Sequence, residues 1–233
     1  MIECPEAIKE SEANIRTVIG QGCARSIENL RHLCLSMTDD KSRDDGMKTE
    51  GHAEPVCSIF VGVSLDGFIA RPNGDLDWLM GEGGGDSAEY GYNEFIADID
   101  AIVMGRKTFE KVLTFDKWYY GNKRVVVLSH QPLDLSGARV RGGVVEQMAG
   151  TPSGIVSKLA ASGANRLYVD GGSTLQQFLR AGLIHRLIIS RLPVLIGEGI
   201  PLFGSLPHDI RLSHVTTRTY PGGMVQSEYH LIR

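Results

Sequence analysis

Residues 101–110, AIVMGRKTFE, and 167–179, LYVDGGSTLQQFL, decide the fold. Each is an apolar, strand-like run that meets glycine and passes at once into a helical pattern. The first run ends at Gly105, and Arg106-Lys107-Thr108 opens a helix with Phe109, Val112 and Leu113 at i, i+3, i+4. The second run ends at Asp170. There Gly171-Gly172-Ser173-Thr174 opens a helix whose apolar side is Leu175, Phe178 and Leu179, stopped at Gly182. A strand that turns through glycine into a helix is where α/β sheets hold phosphates: the backbone can approach closely, and the helix N-terminus offers free N–H groups and about half a positive charge. Arg106 and Lys107 add full charges to one junction only. As a pair, the two junctions are candidates to grip both ends of one phosphorylated dinucleotide across a crevice.

The same texture extends on both sides. CSIFVGV (57–63), RVVVLS (124–129) and HRLIISRLPVLIG (185–197) read as strands, and like the first two they are apolar on both faces, as strands covered by helices on both sides must be. TPSGIVSKLAASG carries Ile155, Val156, Leu159 and Ala160 at helical spacing. RLSHVTTRTY and MVQSEYHLIR flank Pro221-Gly222-Gly223, which reads as a hairpin. The expected fold is therefore α/β, with a mostly parallel central sheet and an antiparallel C-terminal hairpin, over residues 56–233. The run LIISRLPVLIG suits either a central buried strand or an interface strand between two copies. LSHQP (128–132) follows a strand, so Ser129 and His130 are candidates to hold an adenosine 2′-phosphate; a turn set by Pro132 is the alternative.

Residues 1–55 differ. The net charge of −4 lies wholly within them, and the run TDDKSRDDGMKTEGHAEP has too little apolar surface to offset the entropy of ordering. Ile15, Val18, Ile19, Ile27, Leu30 and Leu33 allow short helices, so 1–55 reads as a mostly disordered or weakly helical extension, with Met47 a candidate internal start. The balanced charge of the remainder argues against nucleic-acid binding. No apolar run nears the ~20 residues of a membrane span, and the acidic N-terminus is not a secretory signal. Cysteines 4, 23, 34 and 57 form no CxxC pair, and a reduced, cytoplasmic protein is expected. HAEPVC (52–57) echoes zinc deaminase fragments, but Phe60 stands where a second ligand cysteine is needed, so no metal site is expected. No nucleophile elbow, HExxH or P-loop is present.

Five stretches in order, VSLDGFIA with the following LDW, MGRKTFE, VVLSHQP, DGGSTLQQFL and GLIHRLIISRLPVLIGEGIPLF, resemble the dihydrofolate reductase superfamily. The closer likeness is to the reductase domain of the bifunctional riboflavin-biosynthesis deaminase–reductase and its stand-alone bacterial relatives. The resemblance covers about 56–233. It implies a dihydrofolate-reductase-like three-layer sandwich, NADPH as cofactor, and homodimers. It assigns the 2′-phosphate to Arg106, with Lys107 beside it, and the diphosphate to Thr108 and to Gly171 and Gly172, followed by Ser173, Thr174 and Leu175. Gly105 forms the first turn, Ser129 and His130 lie near the adenosine, and Val61, Gly62, Ile69 and Ala70 flank the nicotinamide.

The substrate is expected between 64 and 98. Asp66 and Trp78 are the candidate contacts, with Asp66 also a candidate proton donor, and GEGGG (81–85) reads as a loop over the site. Folate reduction needs a buried carboxylate on the first helix. Asp86, Glu89 and Glu94 are the available acids; none has the LPxDLxxF context, and LDW replaces LPW, so folate is not the expected substrate. The riboflavin-pathway enzyme usually bears a lysine in the first strand and EGG at the later junction. Here the strand has no lysine and the junction is DGG. The expected activity is hydride transfer from NADPH to a C=N or C=O bond of a small heterocycle. The alternatives are 5-amino-6-(5-phosphoribosylamino)uracil reductase and a non-catalytic NADPH-binding module.

Overall fold

The structure, a computed structural model, describes residues 54–79 and 90–232. The extension read over 1–55 lies, but for its last two residues, outside the described residues, as do Met47, the GEGGG loop, Asp86 and Glu89.

In chain order the elements are β1 (Val56–Ser64), β2 (Phe68–Ala70), α1 (Tyr92–Ala97), β3 (Ala101–Gly105), α2 (Arg106–Leu113), β4 (Arg124–Leu128), α3 (Ser136–Val140) and β5 (Val144–Met148). There follow α4 (Pro152–Ala161), β6 (Arg166–Asp170), α5 (Gly172–Arg180), β7 (Ile184–Leu192), β8 (Ile200–Pro201), β9 (Leu212–Thr219) and β10 (Val225–Leu231). Eight strands form one sheet in the order β5-β4-β3-β6-β1-β7-β10-β9. From β5 to β7 every pairing is parallel; β10 runs antiparallel to both β7 and β9. The expected α/β class, mostly parallel sheet and C-terminal hairpin are all present.

Side chains alternate along the strands, so the two faces build two cores. One face sets Ile59, Val63, Val103, Val126, Leu167 and Val169 against α4 and α5 through Ile155, Leu159, Leu175 and Phe178. The other sets Ile102, Met104, Val125, Val127 and Tyr168 against α1 and α2 through Phe95, Phe109 and Val112. Because both faces are covered, the central strands read as continuous apolar runs rather than alternating ones.

Three readings change. The run 185–197 is not one strand: β7 stops at Leu192, and Pro193 begins a loop. Nor is it an interface strand, since β1 and β10 occupy both of its edges. A sixth parallel strand, β5, was not read from VVEQM, whose Glu146 and Gln147 break the apolar pattern at a sheet edge. The short β2–β8 ribbon was not read either, because three and two residues carry no periodicity.

Candidate functional site at the strand tips

The carboxyl ends of β4, β3 and β6 lie side by side. Met104 pairs with Asp170, so Gly105 and Gly171 continue from neighbouring strand tips. On the other side Leu128 pairs with Gly105, which brings Ser129 and His130 next to Arg106. From β3 the chain leaves through α2 towards β4 and packs on one face. From β6 it leaves through α5 towards β7 and packs on the other. The connections thus diverge between β3 and β6, and such a switch point opens a crevice at the strand tips.

The two junctions interlock. Gly171 has φ +88°, and a β carbon there would collide with Thr108 Oγ1 and come within 3.1 Å of Thr108 Cβ. Reciprocally, a β carbon at Gly105 would lie 2.9 Å from Oγ1 of the buried Thr174. Each glycine therefore makes room for the threonine of the opposite helix. Neither α2 nor α5 has a side-chain N-cap, whereas Thr151 caps α4 by accepting from the Gly154 N–H at 3.2 Å. The first-turn amides of α2 and α5 are thus left to an outside acceptor. Arg106 is half exposed and meets only Glu110, at 3.5 Å; Lys107 and Ser173 are exposed. His130 is exposed, while the Ser129 hydroxyl closes its own turn by donating to Gln131 O at 2.7 Å.

The first-strand residues adjoin this cluster. Ile69 in β2 lies over the start of α5, where a β carbon at Gly172 would come within 2.8 Å of Ile69 Cδ1. Ala70 is buried and Leu175 packs inward from α5. Val61 points to the α5 face; Gly62 points to the α1 face, where Leu79 covers it.

Asp66 sits apart from the crevice chemistry. Its carboxylate accepts from Ser64 Oγ at 2.6 Å, from the Gly197 N–H at 2.7 Å and from the Ile196 N–H at 3.1 Å. These bonds, led by Ser64, hold its carboxyl below the ordinary carboxylate range. A carboxyl held in this way clamps the β1–β2 turn to the 193–199 loop, and its lowered pKa argues against the expectation of Asp66 as proton donor. Glu94, the one folate-type acid among the described residues, is exposed on α1.

A second aspartate lies at the strand tips themselves. Asp170, at the tip of β6, accepts from Tyr120 Oη at 3.0 Å and from the Gly171 N–H at 2.8 Å. Desolvation dominates and pushes the carboxyl up, more than these hydrogen bonds pull it down. Burial and the nearby Asp170 charge push the phenols of Tyr92, Tyr120 and Tyr168 up as well, so all three stay neutral. Phe60 and Phe95 complete an aromatic cluster: Phe60 lies 5.5 Å from Tyr92, and Phe95 5.1 Å from Tyr168. Asp170 was visible in sequence only as the residue before a glycine turn. Tyr120 comes from the irregular stretch 114–123, fifty residues away, where no pattern marks it.

Comparison with known proteins agrees with this geometry. Residues 55–226 match the RibD C-terminal domain family. The chain belongs to that family. YwjB of Bacillus subtilis (strain 168) is 32% identical over 175 residues, which cover 73% of this chain and 95% of YwjB. A crystal structure from Shewanella sp. PV-4, of a protein with a provisional riboflavin-biosynthesis name, is 36% identical with TM-score 0.69, covering 76% of this chain and 99% of that one. Dihydrofolate reductase from Enterococcus faecalis, in complex with NADP(H) and RAB-propyl, shares the fold at 15% identity and TM-score 0.56, covering 77% and 98% of the two chains.

Two outcomes test the site. Gly171→Ala meets both the positive φ and Thr108, so it should destabilise the protein by more than ~1 kcal/mol. Adding Thr108→Ala should recover part of the loss in urea denaturation, because the overlap goes and the backbone strain stays. For Asp66 the folded pKa is depressed, so its contribution is present above the unfolded pKa and is lost as pH falls through the folded one. The melting temperature of Asp66→Asn should lie below wild type at pH 7, and the gap should close in acid, below the ordinary carboxylate range.

Proposed function

We propose that this chain is an NADPH-dependent reductase that delivers hydride to a C=N or C=O bond of a small heterocycle. The observation that carries the reading is the interlocked glycine pair at the β3 and β6 tips, with uncapped helix N-termini on both sides and basic side chains on one. NADPH, when bound, supplies the hydride. Arg106 and Lys107 take the 2′-phosphate, close to His130. Thr108, the amides of Gly171–Thr174 and the Ser173 hydroxyl hold the diphosphate, with Leu175 packed beneath. Val61, Gly62, Ile69 and Ala70 shape the nicotinamide end. The residues fit this group because the first-turn amides have no side-chain caps and Arg106 is held only by a long, exposed ion pair.

Asp170 supplies the proton in this reading. Burial raises its carboxyl and so favours the protonated form, and Tyr120 holds its orientation. As hydride adds to carbon, the Asp170 proton passes to the nitrogen or oxygen of the reduced bond, and water reprotonates the carboxylate. This placement of an acid favours turnover over a non-catalytic NADPH-binding module. A second reading, 5-amino-6-(5-phosphoribosylamino)uracil reductase, is favoured by the name that the 36%-identical Shewanella protein carries. It requires that pyrimidine to oxidise NADPH when the purified protein is present. A cytoplasmic homodimer completes the proposal; β9, with Leu212 and Val215 exposed, is one of the two edge strands of the sheet that could carry it.

Arg106→Ala should weaken NADPH by ~1.5–3 kcal/mol, the worth of a charge-assisted hydrogen bond, and leave NADH nearly unchanged in paired titrations. Equal loss for both cofactors would remove the 2′-phosphate role. Asp170→Asn should lower the rate by about 10²-fold or more. Its stability has the opposite sign to that of Asp66: a raised folded pKa lowers stability as pH climbs past the unfolded value. The variant should therefore melt at or above the wild-type temperature at neutral pH while losing activity.

A further inference from the structure

A cavity of about 470 Å³ lies at the end of the sheet away from the strand tips. The last turn of α5, the start of β7 and the end of β10 form it, and residues 207–211 close its far side. It exists because the sheet outruns its helices: α5 packs on the inner strands, while β10 and β9 extend the sheet beyond β7. The lining is apolar at depth. Leu179 and Ile184 are buried, Ile210 and Leu231 are half-buried, and Ile232 adds an exposed edge. The walls are tied together. Gln176 of α5 donates to Pro201 O at 3.0 Å, a β carbon at Gly204 would lie 2.7 Å from Gln176 Oε1, and the Ile232 N–H donates to Arg211 O at 2.9 Å. A concave apolar site of this volume suits a small organic molecule.

The mouth of the cavity is charged. Arg180 and Arg211 line it, both exposed, and neither guanidinium has a hydrogen-bond or ion-pair partner among the described residues. Arg71, Arg124, Arg166 and Arg186, by contrast, each hold a carboxylate. Asp209 also lines the cavity and pairs with neither arginine, so two fixed positive charges face one negative, with His208 beside them. A free guanidinium offers a fork of donors that matches a carboxylate. We propose that this cavity binds an amphiphilic carboxylate, with its apolar body on Leu179, Ile184 and Leu231 and its head group on Arg180 and Arg211. A neutral or cationic molecule with the same body forfeits the head-group bonds. The site is distinct from the strand tips: α5 carries Gly172 at one end and Arg180 at the other, ~12 Å apart along its axis. The proposal stands independently of the reductase reading.

The test titrates the full chain by calorimetry with octanoate, octan-1-ol and octylammonium, which share one alkyl body and differ in head group. Wild type should bind octanoate about tenfold tighter than octan-1-ol, the lower end for a charge-assisted hydrogen bond because both arginines meet water, and octylammonium most weakly. Arg180→Gln combined with Arg211→Gln should abolish the preference for octanoate and leave the octan-1-ol affinity as in wild type. Arg106→Ala, at the cationic cluster of the strand tips, should bind octanoate as wild type does. The proposal is overturned if octanoate and octan-1-ol bind equally, if none of the three binds, or if the double variant keeps the preference. It is also overturned if Arg106→Ala loses as much octanoate affinity as the double variant, which would put the carboxylate at the strand tips. Should the double variant fold poorly, the head-group comparison in wild type and the Arg106→Ala titration still decide. Failure of wild type to bind NADPH would bear on the reductase reading alone.

Discussion

Thr108 packs against Gly171, and Thr174 packs against Gly105. This crossed contact is the constraint on which the strand-tip site depends. It requires two adjacent parallel strands to end at the same level and their helices to leave for opposite faces, and it leaves two sets of unbonded amides facing one crevice. A side chain at either glycine would push the helices apart and dissolve the crevice. The backbone at Gly171 adds a second demand, since its positive φ is strained for any residue with a β carbon.

Two aspartates show how environment shifts a carboxyl. Asp66 accepts hydrogen bonds from a hydroxyl and two backbone amides and is held ionised, so its contribution is mechanical: it ties the β1–β2 turn to the loop after β7. Asp170 also accepts two bonds, but it lies among neutral tyrosines where losing water outweighs them, and its carboxyl is pushed up. The same side chain is held ionised in one place and pushed towards its protonated form in the other. The difference comes from the number of donors offered against the amount of water removed.

The sheet's asymmetry follows the same logic of coverage. Strands β3, β4, β6 and β1 are buried between two helical layers and carry apolar residues on both sides. Strand β9, at the far edge, is exposed along most of its length, and its Ser213, Thr216, Thr217 and Thr219 reflect contact with water. The site sits at the covered end of this gradient, where dry surroundings strengthen every polar contact.

By itself the sequence determined the elements whose residues obey a period: the five long strands, helices α2, α4 and α5, the terminal hairpin, and both glycine junctions. It determined these because alternation, helical spacing and glycine at a turn are local properties of a few consecutive residues. It also carried the family likeness, through motifs kept in order along the chain. The fold alone decided what depends on distance. It brought Tyr120 to Asp170 across fifty residues, tied Asp66 to the loop after β7, and made 184–192 a central strand rather than an interface. None of these is local. Each rests on which groups end up within 3 Å and how much water they lose, and that is settled only when the layers close on one another.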